Sequence, residues 1–122
     1  MTTRFTCDQN VVTDSRTGLM WQRNVPEDRF KLKDAKQYAA ELRIGGYSNW
    51  RVPTLQELVA LVDRTKHEPY IDTEAFPNTP LDWFWTVSPY DSSNYYVWVV
   101  YFGNGDSSSL GVNYPSRVRC VR

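Results

Sequence analysis

The 122-residue sequence has a single histidine, two cysteines and no long apolar run. With His67 as the only histidine, paired-histidine metal sites and paired-histidine mechanisms are excluded. No G-x-S-x-G motif accompanies it, so a Ser-His-Asp device is not expected. Neither Gly45-Gly46 nor Gly103-Asn104-Gly105 matches a phosphate-binding glycine motif. Nucleotide cofactors and nucleophilic catalysis are therefore not predicted.

The sequence also lacks an excess of charge of either sign, with 14 basic and 14 acidic residues. A neutral chain has no general attraction for nucleic acid or an anionic membrane, so we predict neither partner. No segment is apolar enough to enter a membrane or to serve as a signal peptide. We expect an excised domain or a missing export signal, and the length predicts one domain over residues 1–122.

Two further features leave alternatives open. Cys7 and Cys120 lie near opposite ends of the chain, where they could form one disulfide in an oxidising compartment or remain buried free thiols. The acidic residues of the central region follow no regular calcium-ligand spacing, so no metal or cofactor is predicted, although loop oxygens could bind calcium. These acidic residues are Asp63, Glu68, Asp72, Glu74 and Asp82.

The segment from residue 45 to residue 58 is predicted to connect the two helices of the domain. Gly45-Gly46 can reverse the chain with positive φ, and Thr54 with Glu57 forms a capping-box pattern that starts a helix. Trp50 and Arg51, just before that helix, are interpreted as a structural wedge and a guanidinium tied to carbonyls or a carboxylate. We name residues 45–58 the hub.

Apolar periodicity predicts helices over residues 32–42 and 54–64. Strands are predicted around residues 5, 11–13, 19–22, 83–87, 96–102, 110–112 and 117–121. Residues 63–82 have no period and contain three prolines, and we interpret them as a loop draped over the surface, held by Ile71, Ala75 and Phe76, rather than as a mobile lid. The pattern is that of an α+β domain in which Trp21, Trp50, Trp85 and Trp98 belong to the core and the hub.

Two polar segments of the last third, residues 88–95 and 106–114, have the Tyr, Ser and Asn composition of antibody paratopes. Tyrosine provides contact area at low entropy cost, and Ser, Asn and Asp provide adaptable hydrogen bonds. We interpret both segments as ligand-binding loops, although polar loops can also be polar simply because they are solvated. The candidate residues are Ser88, Tyr90, Asp91, Asn94, Tyr95, Asn104, Asp106, Ser108, Asn113 and Tyr114.

Several motifs together resemble the family of the C-terminal domain of the Legionella collagen-like adhesin. They are T-G-L-M-W-Q-R at residues 17–23, G-G-Y-S-N-W-R-V-P-T at 45–54, F-W-T at 84–86 and V-R-C-V-R at 118–122. The resemblance implies a C-type-lectin-like fold, with two helices flanking a small, mostly antiparallel twisted sheet, paired terminal strands and a long irregular loop. It also implies an exported bacterial or phage protein.

The adhesin is implicated in binding sulfated glycans and forms trimers, so the resemblance implies a glycan or protein receptor and a homotrimer. Related lectin-fold domains include phage receptor-binding proteins and the variable proteins of diversity-generating retroelements. Many family members carry a cysteine where this chain has Ala39, which leaves Cys7 as the candidate partner of Cys120. The neutral charge weakens the case for a sulfated ligand.

The sequence therefore predicts a non-catalytic recognition domain on a bacterial or phage surface. One alternative is an enzyme like the formylglycine-generating enzymes, which share the broad fold and use a pair of cysteines. Another is a structural trimerisation or tip domain of a fibre.

Overall fold

The computed structural model describes residues 3–122, and its elements confirm the predicted α+β class. Each helix is short, and the six strands form two three-stranded antiparallel sheets. Neither helix in residues 3–122 has the length and apolar character needed to cross a membrane. The elements are β1 (Phe5–Cys7), β2 (Val11–Asp14), β3 (Met20–Gln22), α1 (Leu32–Glu41), α2 (Leu55–Val59), β4 (Trp83–Pro89), β5 (Tyr96–Tyr101) and β6 (Asp106–Gly111).

The C-terminal sheet, in the order β4-β5-β6, separates two apolar clusters. On one face, Val97 and Val99 pack in a cluster with Ala35 and Ala39 of α1. On the other face, Val100 packs in a second cluster with residues of α2, of the long loop and of the N-terminal sheet. Successive side chains of a strand point to opposite faces, so β5 contributes to both clusters, as predicted for a central strand.

The C-terminal segment, residues 116–122, joins the two sheets. Its backbone pairs with β3, with Arg51 of the hub through Val121, and with β4 through Arg117. The segment therefore forms isolated bridges on three sides and is not the regular strand predicted over residues 117–121. It does pair with the N-terminal region, but its partner is β3 and not the first strand. We call it the C-terminal seam.

The second helix is shorter than predicted. α2 ends at Val59, and the amides of Leu61 and Val62 donate to carbonyls three residues earlier, which tightens the chain into a turn. The turn buries Leu61 and leaves Val59 39% exposed. Because α2 has only five residues, it covers only part of the sheet on which it packs.

The long loop of residues 63–82 is held against the body, as predicted. Ile71, Ala75 and Phe76 are buried in the second cluster. The Tyr70 amide donates to the Phe102 carbonyl at 2.8 Å, which ties the loop to the end of β5. The loop thus covers one side of the second apolar cluster.

The disulfide prediction was wrong: Cys7 is an exposed thiol and Cys120 is a buried one. Cys7 pairs with Val12, Val12 with Trp21, and Trp21 with Val121, so two strands separate Cys7 from the C-terminal seam. Three strand spacings are about 14 Å, whereas a disulfide needs Cα atoms within about 7 Å. The pairing order of the strands therefore keeps the two thiols apart.

Candidate functional site

The hub has the geometry that its sequence predicts. Thr54 accepts a hydrogen bond from the Glu57 amide, and Glu57 accepts one from the Thr54 amide, which completes the capping box. Arg51 donates two hydrogen bonds of 2.7 Å to the Glu57 carboxylate. These bonds, above all those from Arg51, lower the pKa of Glu57. The hub residues are thus engaged with one another, and this geometry supports a structural role.

Three of the four tryptophans assigned to the core are buried, and the fourth is not. Trp21, Trp50 and Trp85 are at most 3% exposed, and the indole N–H of Trp85 donates to the Phe30 carbonyl at 2.6 Å. Trp98 is only partly buried. Alternation along β5 places Trp98 on the opposite face from Val97 and Val99, which accounts for its different environment.

The first candidate segment, residues 88–95, comprises the last two residues of β4 and the connection to β5. Ser88, near the end of β4, ties that strand to the start of α2, because its hydroxyl accepts a hydrogen bond of 2.8 Å from the Leu55 amide. Asp91 accepts both the amide and the hydroxyl of Ser93, and these hydrogen bonds lower its pKa. Asp91 therefore stabilises its own turn, while Tyr90 is 48% exposed.

The second candidate segment, residues 106–114, is not the loop that its composition indicated. Residues Asp106–Gly111 are strand β6, in continuous register with β5 over six pairs. Serine has little intrinsic preference for strands, so composition alone favoured a loop. The partner strand supplies the backbone hydrogen bonds that make this segment a strand.

The register divides the candidate residues between two faces of the sheet. Ser109 lies opposite Trp98, and Ser107 lies opposite Val100, so these serines share the face that carries Trp98. Ser108 and Asp106 lie opposite Val99 and Tyr101 and belong to the other face. Ser108 was the predicted contact residue, whereas its two neighbours share the face of Trp98.

Four aromatic rings form two pairs beside these serines. The rings of Tyr90 and Trp98 have centroids 4.9 Å apart at an angle of 65°, and those of Tyr95 and Tyr96 are 4.9 Å apart at 89°. Tyr95 and Tyr96 are 39% and 42% exposed. We name this surface the aromatic face, and it consists of Tyr90, Tyr95, Tyr96, Trp98, Ser107 and Ser109.

Gly111 determines where one of these rings lies. A Cβ atom at Gly111 would lie 2.7 Å from Cε2 of Tyr95, which is closer than side chains approach one another. Gly111 lies opposite Tyr96 in the register, so the Tyr95 ring rests on the backbone of β6 on the aromatic face. The glycine thus makes room for the Tyr95 ring at the edge of the sheet.

The remaining candidates lie outside the aromatic face. Asn94 lines a groove beside α1 with Leu32 and Lys36, and Asn104 accepts the Asp106 amide within its own turn. Asn113 and Tyr114 follow β6 at the end of the sheet, where Tyr114 is 62% exposed. The structure therefore brings together Tyr90 and Tyr95 from the predicted set and adds Tyr96, Trp98, Ser107 and Ser109. Alternation along residues 96–102 was the signal that could have found Trp98.

Sequence reasoning also missed the role of Arg119, which is completely buried. Its guanidinium donates to the carbonyls of Gln22 and Arg23 at 2.8 and 2.6 Å and to the Thr79 hydroxyl at 3.0 Å. The same group lies 4.7 Å from the centre of the Phe76 ring. Burial lowers the pKa of Arg119 to about 9, because desolvation disfavours the charged guanidinium. Arg119 ties the C-terminal seam to β3 and to the long loop.

A groove between β1 and the long loop, about 610 Å³ in volume, carries four arginines. Three of them are engaged: Arg4 with the Asp14 carboxylate and the Ala60 carbonyl, Arg23 with three backbone carbonyls, and Arg64 with two. Arg16 completes the set. Three acidic residues line the same groove, so its charge is mixed.

The described residues offer no assembled catalytic or metal centre. Within residues 3–122, no three side chains of His, Cys, Asp or Glu come together as metal ligands. Burial raises the pKa of the Cys120 thiol to about 12, and burial also raises the pKa of Cys7. Cys7 lies in β1 and Cys120 in the C-terminal seam, and neither thiol is activated, so the enzyme alternative with paired cysteines gains no support.

A family model described as the Lcl C-terminal domain matches residues 10–122, which is nearly the whole chain. The chain belongs to the Lcl C-terminal domain family. Membership of this adhesin-associated family indicates a surface or extracellular role of the adhesin type. A comparison with curated proteins gave no significant match.

Proposed function

We propose that this Lcl-family chain is a non-catalytic recognition domain that binds a glycan or protein receptor outside the cell through the last third of its sequence. The observation that carries the proposal is the aromatic face, where four rings cluster on a partly uncovered sheet. Three of those rings are between 39% and 48% exposed. A cluster of large exposed side chains on a small domain is typical of an interaction site.

The structure offers a reason why these rings remain exposed. α2 begins beside Ser88 near the end of β4 and runs toward the β5–β6 turn, where Gly105 lies beside Val62, so the helix leads away from the part of the sheet near Tyr96 and Gly111. The cluster that includes Phe84, Val100 and Phe102 fills the remaining part of the same face. Exposed aromatic rings are costly in water, so retaining them here favours a ligand that covers them.

The proposed contact surface also includes residues at the edge of the aromatic face. Asn94, Asn113 and Tyr114 lie around the end of the sheet, where a large receptor touching the aromatic face could also reach them. The resemblance to phage receptor-binding and retroelement-variable proteins agrees with a binding surface in the last third. A homotrimer remains a prediction, which light scattering of the purified domain would test.

The test is binding of the labelled domain to a broad glycan array and to intact cells, with calcium and again with chelator. We expect saturable binding that Trp98→Ala and Tyr90→Ala each weaken by about tenfold or more, as for central aromatic anchors. Ser108→Ala, on the opposite face of β6, is the matched control and should bind as the parent does. Binding that both ring variants leave intact would contradict the proposal.

A further inference from the structure

We infer that the aromatic face binds an uncharged saccharide, held by ring stacking and hydroxyl hydrogen bonds rather than by ion pairs. This inference rests on the proposed function and names the chemical class of its ligand. It begins from the charge of the surface. The six positions of β5 and β6 that point to this face are Tyr96, Trp98, Val100, Ser107, Ser109 and Gly111, and none is ionised at neutral pH.

The ionised residues next to the face in the sequence are Asp91 and Asp106, and Asp106 lies opposite Tyr101 on the other face of the sheet. Asp91, in the turn that carries Tyr90, accepts two hydrogen bonds from Ser93, one of them at 2.6 Å. Arg64 donates to carbonyls of the β5–β6 turn, at the opposite end of the hairpin from Tyr96. A sulfated or carboxylated ligand would find no cation on the face to offset its desolvation.

The polar groups on the face are hydroxyls. Ser107 and Ser109 contribute two, and Tyr90, Tyr95 and Tyr96 contribute phenol groups at the ends of their rings. A hydroxyl can both donate and accept, which matches the alternating donors and acceptors of a sugar ring. The serine pair thus places small hydroxyl groups among the rings, where they can bond the hydroxyls of a sugar.

The arrangement of the rings suits the flatter, apolar face of a pyranose. C–H groups of a sugar carry partial positive charge and are attracted to the negative face of an aromatic ring. Tyr96 and Trp98 are two positions apart on β5, so the two ring pairs lie about 7 Å apart along the strand. One oligosaccharide could therefore contact both pairs.

The rings are also positioned before a ligand arrives. Each ring of a pair packs edge-on against its partner, and Tyr95 rests on the backbone at Gly111. Side chains that are already ordered lose little entropy on binding. Gly111 is thus a positioning residue, since any side chain there would push the Tyr95 ring away without removing a hydroxyl or a ring.

The experiment titrates the purified domain with uncharged oligosaccharides, namely cellotetraose, maltotetraose and N-acetyllactosamine, and with a heparin tetrasaccharide. Intrinsic tryptophan fluorescence and calorimetry report binding, and each titration is repeated at low and high salt. We expect at least one uncharged saccharide to bind with a Kd that changes less than about twofold with salt, because no ion pair is screened. Heparin should bind at least tenfold more weakly than that saccharide at high salt.

Variants locate the site. Trp98→Ala and Gly111→Ala should each raise the Kd by about tenfold, Trp98→Phe should recover most of the loss, and Ser109→Ala should raise the Kd about threefold. Ser108→Ala is the matched control on the other face. A thermal melt of each variant shows that it is folded, and Trp98→Phe keeps the test informative if Trp98→Ala does not fold.

Several outcomes would overturn the inference. Binding of heparin alone, lost in Trp98→Phe and at high salt, would replace the uncharged ligand with an anionic one and leave the proposed function standing. Binding only to a protease-sensitive cell receptor, lost in the ring variants, would identify a protein partner and also leave that function standing. A domain that binds neither cells nor saccharides, or whose ring variants bind normally, would reject both proposals.

Discussion

The two halves of one face of the C-terminal sheet differ in how deeply their side chains are buried. In the covered half, Phe84, Val100 and Phe102 are completely buried beneath α2, the long loop and Arg119. The other half is the aromatic face. There, Trp98 and Tyr96 lie on the same side of β5 as Val100, but Trp98 is only partly buried and Tyr96 is exposed. The difference comes from what packs above the strand, since the strand itself is continuous.

Residues that hold α2, the long loop and the C-terminal seam in place should therefore control stability. Residues of the aromatic face should control binding. Arg119 bonds the C-terminal seam to β3, and the Thr54 hydroxyl caps the start of α2. Asp14 holds Arg4, whose guanidinium donates to the Ala60 carbonyl at the end of α2. Four substitutions test this division, and their expected effects on the free energy of unfolding decrease in the order given.

Arg119→Ala should have the largest effect. It removes donors from two backbone carbonyls and the Thr79 hydroxyl and leaves a cavity beside Phe76, so we expect a loss of about 3 kcal/mol or more. Urea unfolding measures this loss. Arg122→Ala is the control, because Arg122 is exposed and stacks on Tyr47, and it should lose about 1 kcal/mol or less. Equal losses of unfolding free energy in the two variants would mean that the buried guanidinium does not stabilise the C-terminal seam.

Asp14→Asn should cost about 2 kcal/mol. Asp14 is buried and accepts two hydrogen bonds from Arg4, whose guanidinium also donates to the Ala60 carbonyl just after α2. Burial alone would raise the pKa of Asp14, but the hydrogen bonds from Arg4 and the Arg16 amide outweigh it, and the pKa lies below its ordinary value of 3.8.

The sign of the pH dependence follows from that lowered pKa. Stability from Asp14 is fully present above the unfolded pKa and is lost as the pH falls through the folded pKa, below 3.8. Urea midpoints measured from pH 7 down to pH 2 should therefore fall more steeply in the parent than in Asp14→Asn. Glu57 and Asp82, whose pKa values are also lowered, should leave the variant with a residual slope. Parallel curves would show that Asp14 is not the titrating group.

Thr54→Ala should cost about 1 kcal/mol, because it removes the side-chain half of the capping box at the start of α2. Thermal unfolding measures the change, and Thr54→Ser, which keeps the hydroxyl, should unfold near the parent temperature. The substitution also tests whether α2 sets the boundary of the covered half. Loosening the helix should lower ligand affinity less than Trp98→Ala does, and the reverse order would place α2 in the binding surface.

Ser109→Ala should have the smallest effect on stability, within about 0.5 kcal/mol of the parent, because Ser109 makes no side-chain hydrogen bond in the part of the chain that the structure describes. Ser108→Ala should be equally mild. Only Ser109→Ala should weaken ligand binding, since only Ser109 shares a face with Trp98. A difference in stability without a difference in binding would contradict the separation of the two roles.

Local patterns were sufficient for much of the fold. The capping box at Thr54, the positive φ of Gly45 and Gly46 and the first helix each depend on residues close together in the chain, and each prediction was confirmed. The burial of Ile71 and Phe76 in the long loop followed from their apolar character among polar neighbours. Predictions that depended on pairing partners were less successful. The disulfide was wrong because two strands lie between its cysteines, and residues 106–111 are a strand because β5 pairs with them.

The sequence by itself determined the first helix, the hub and the presence of many tyrosines and serines in the last third. The tertiary structure decided which of those side chains share a surface, because register assigns alternate residues to opposite faces and a short helix leaves one part uncovered. It also decided that Arg119, an apparently ordinary charged residue near the C-terminus, is buried. Register and burial depend on contacts between residues far apart in the chain, and composition does not contain them.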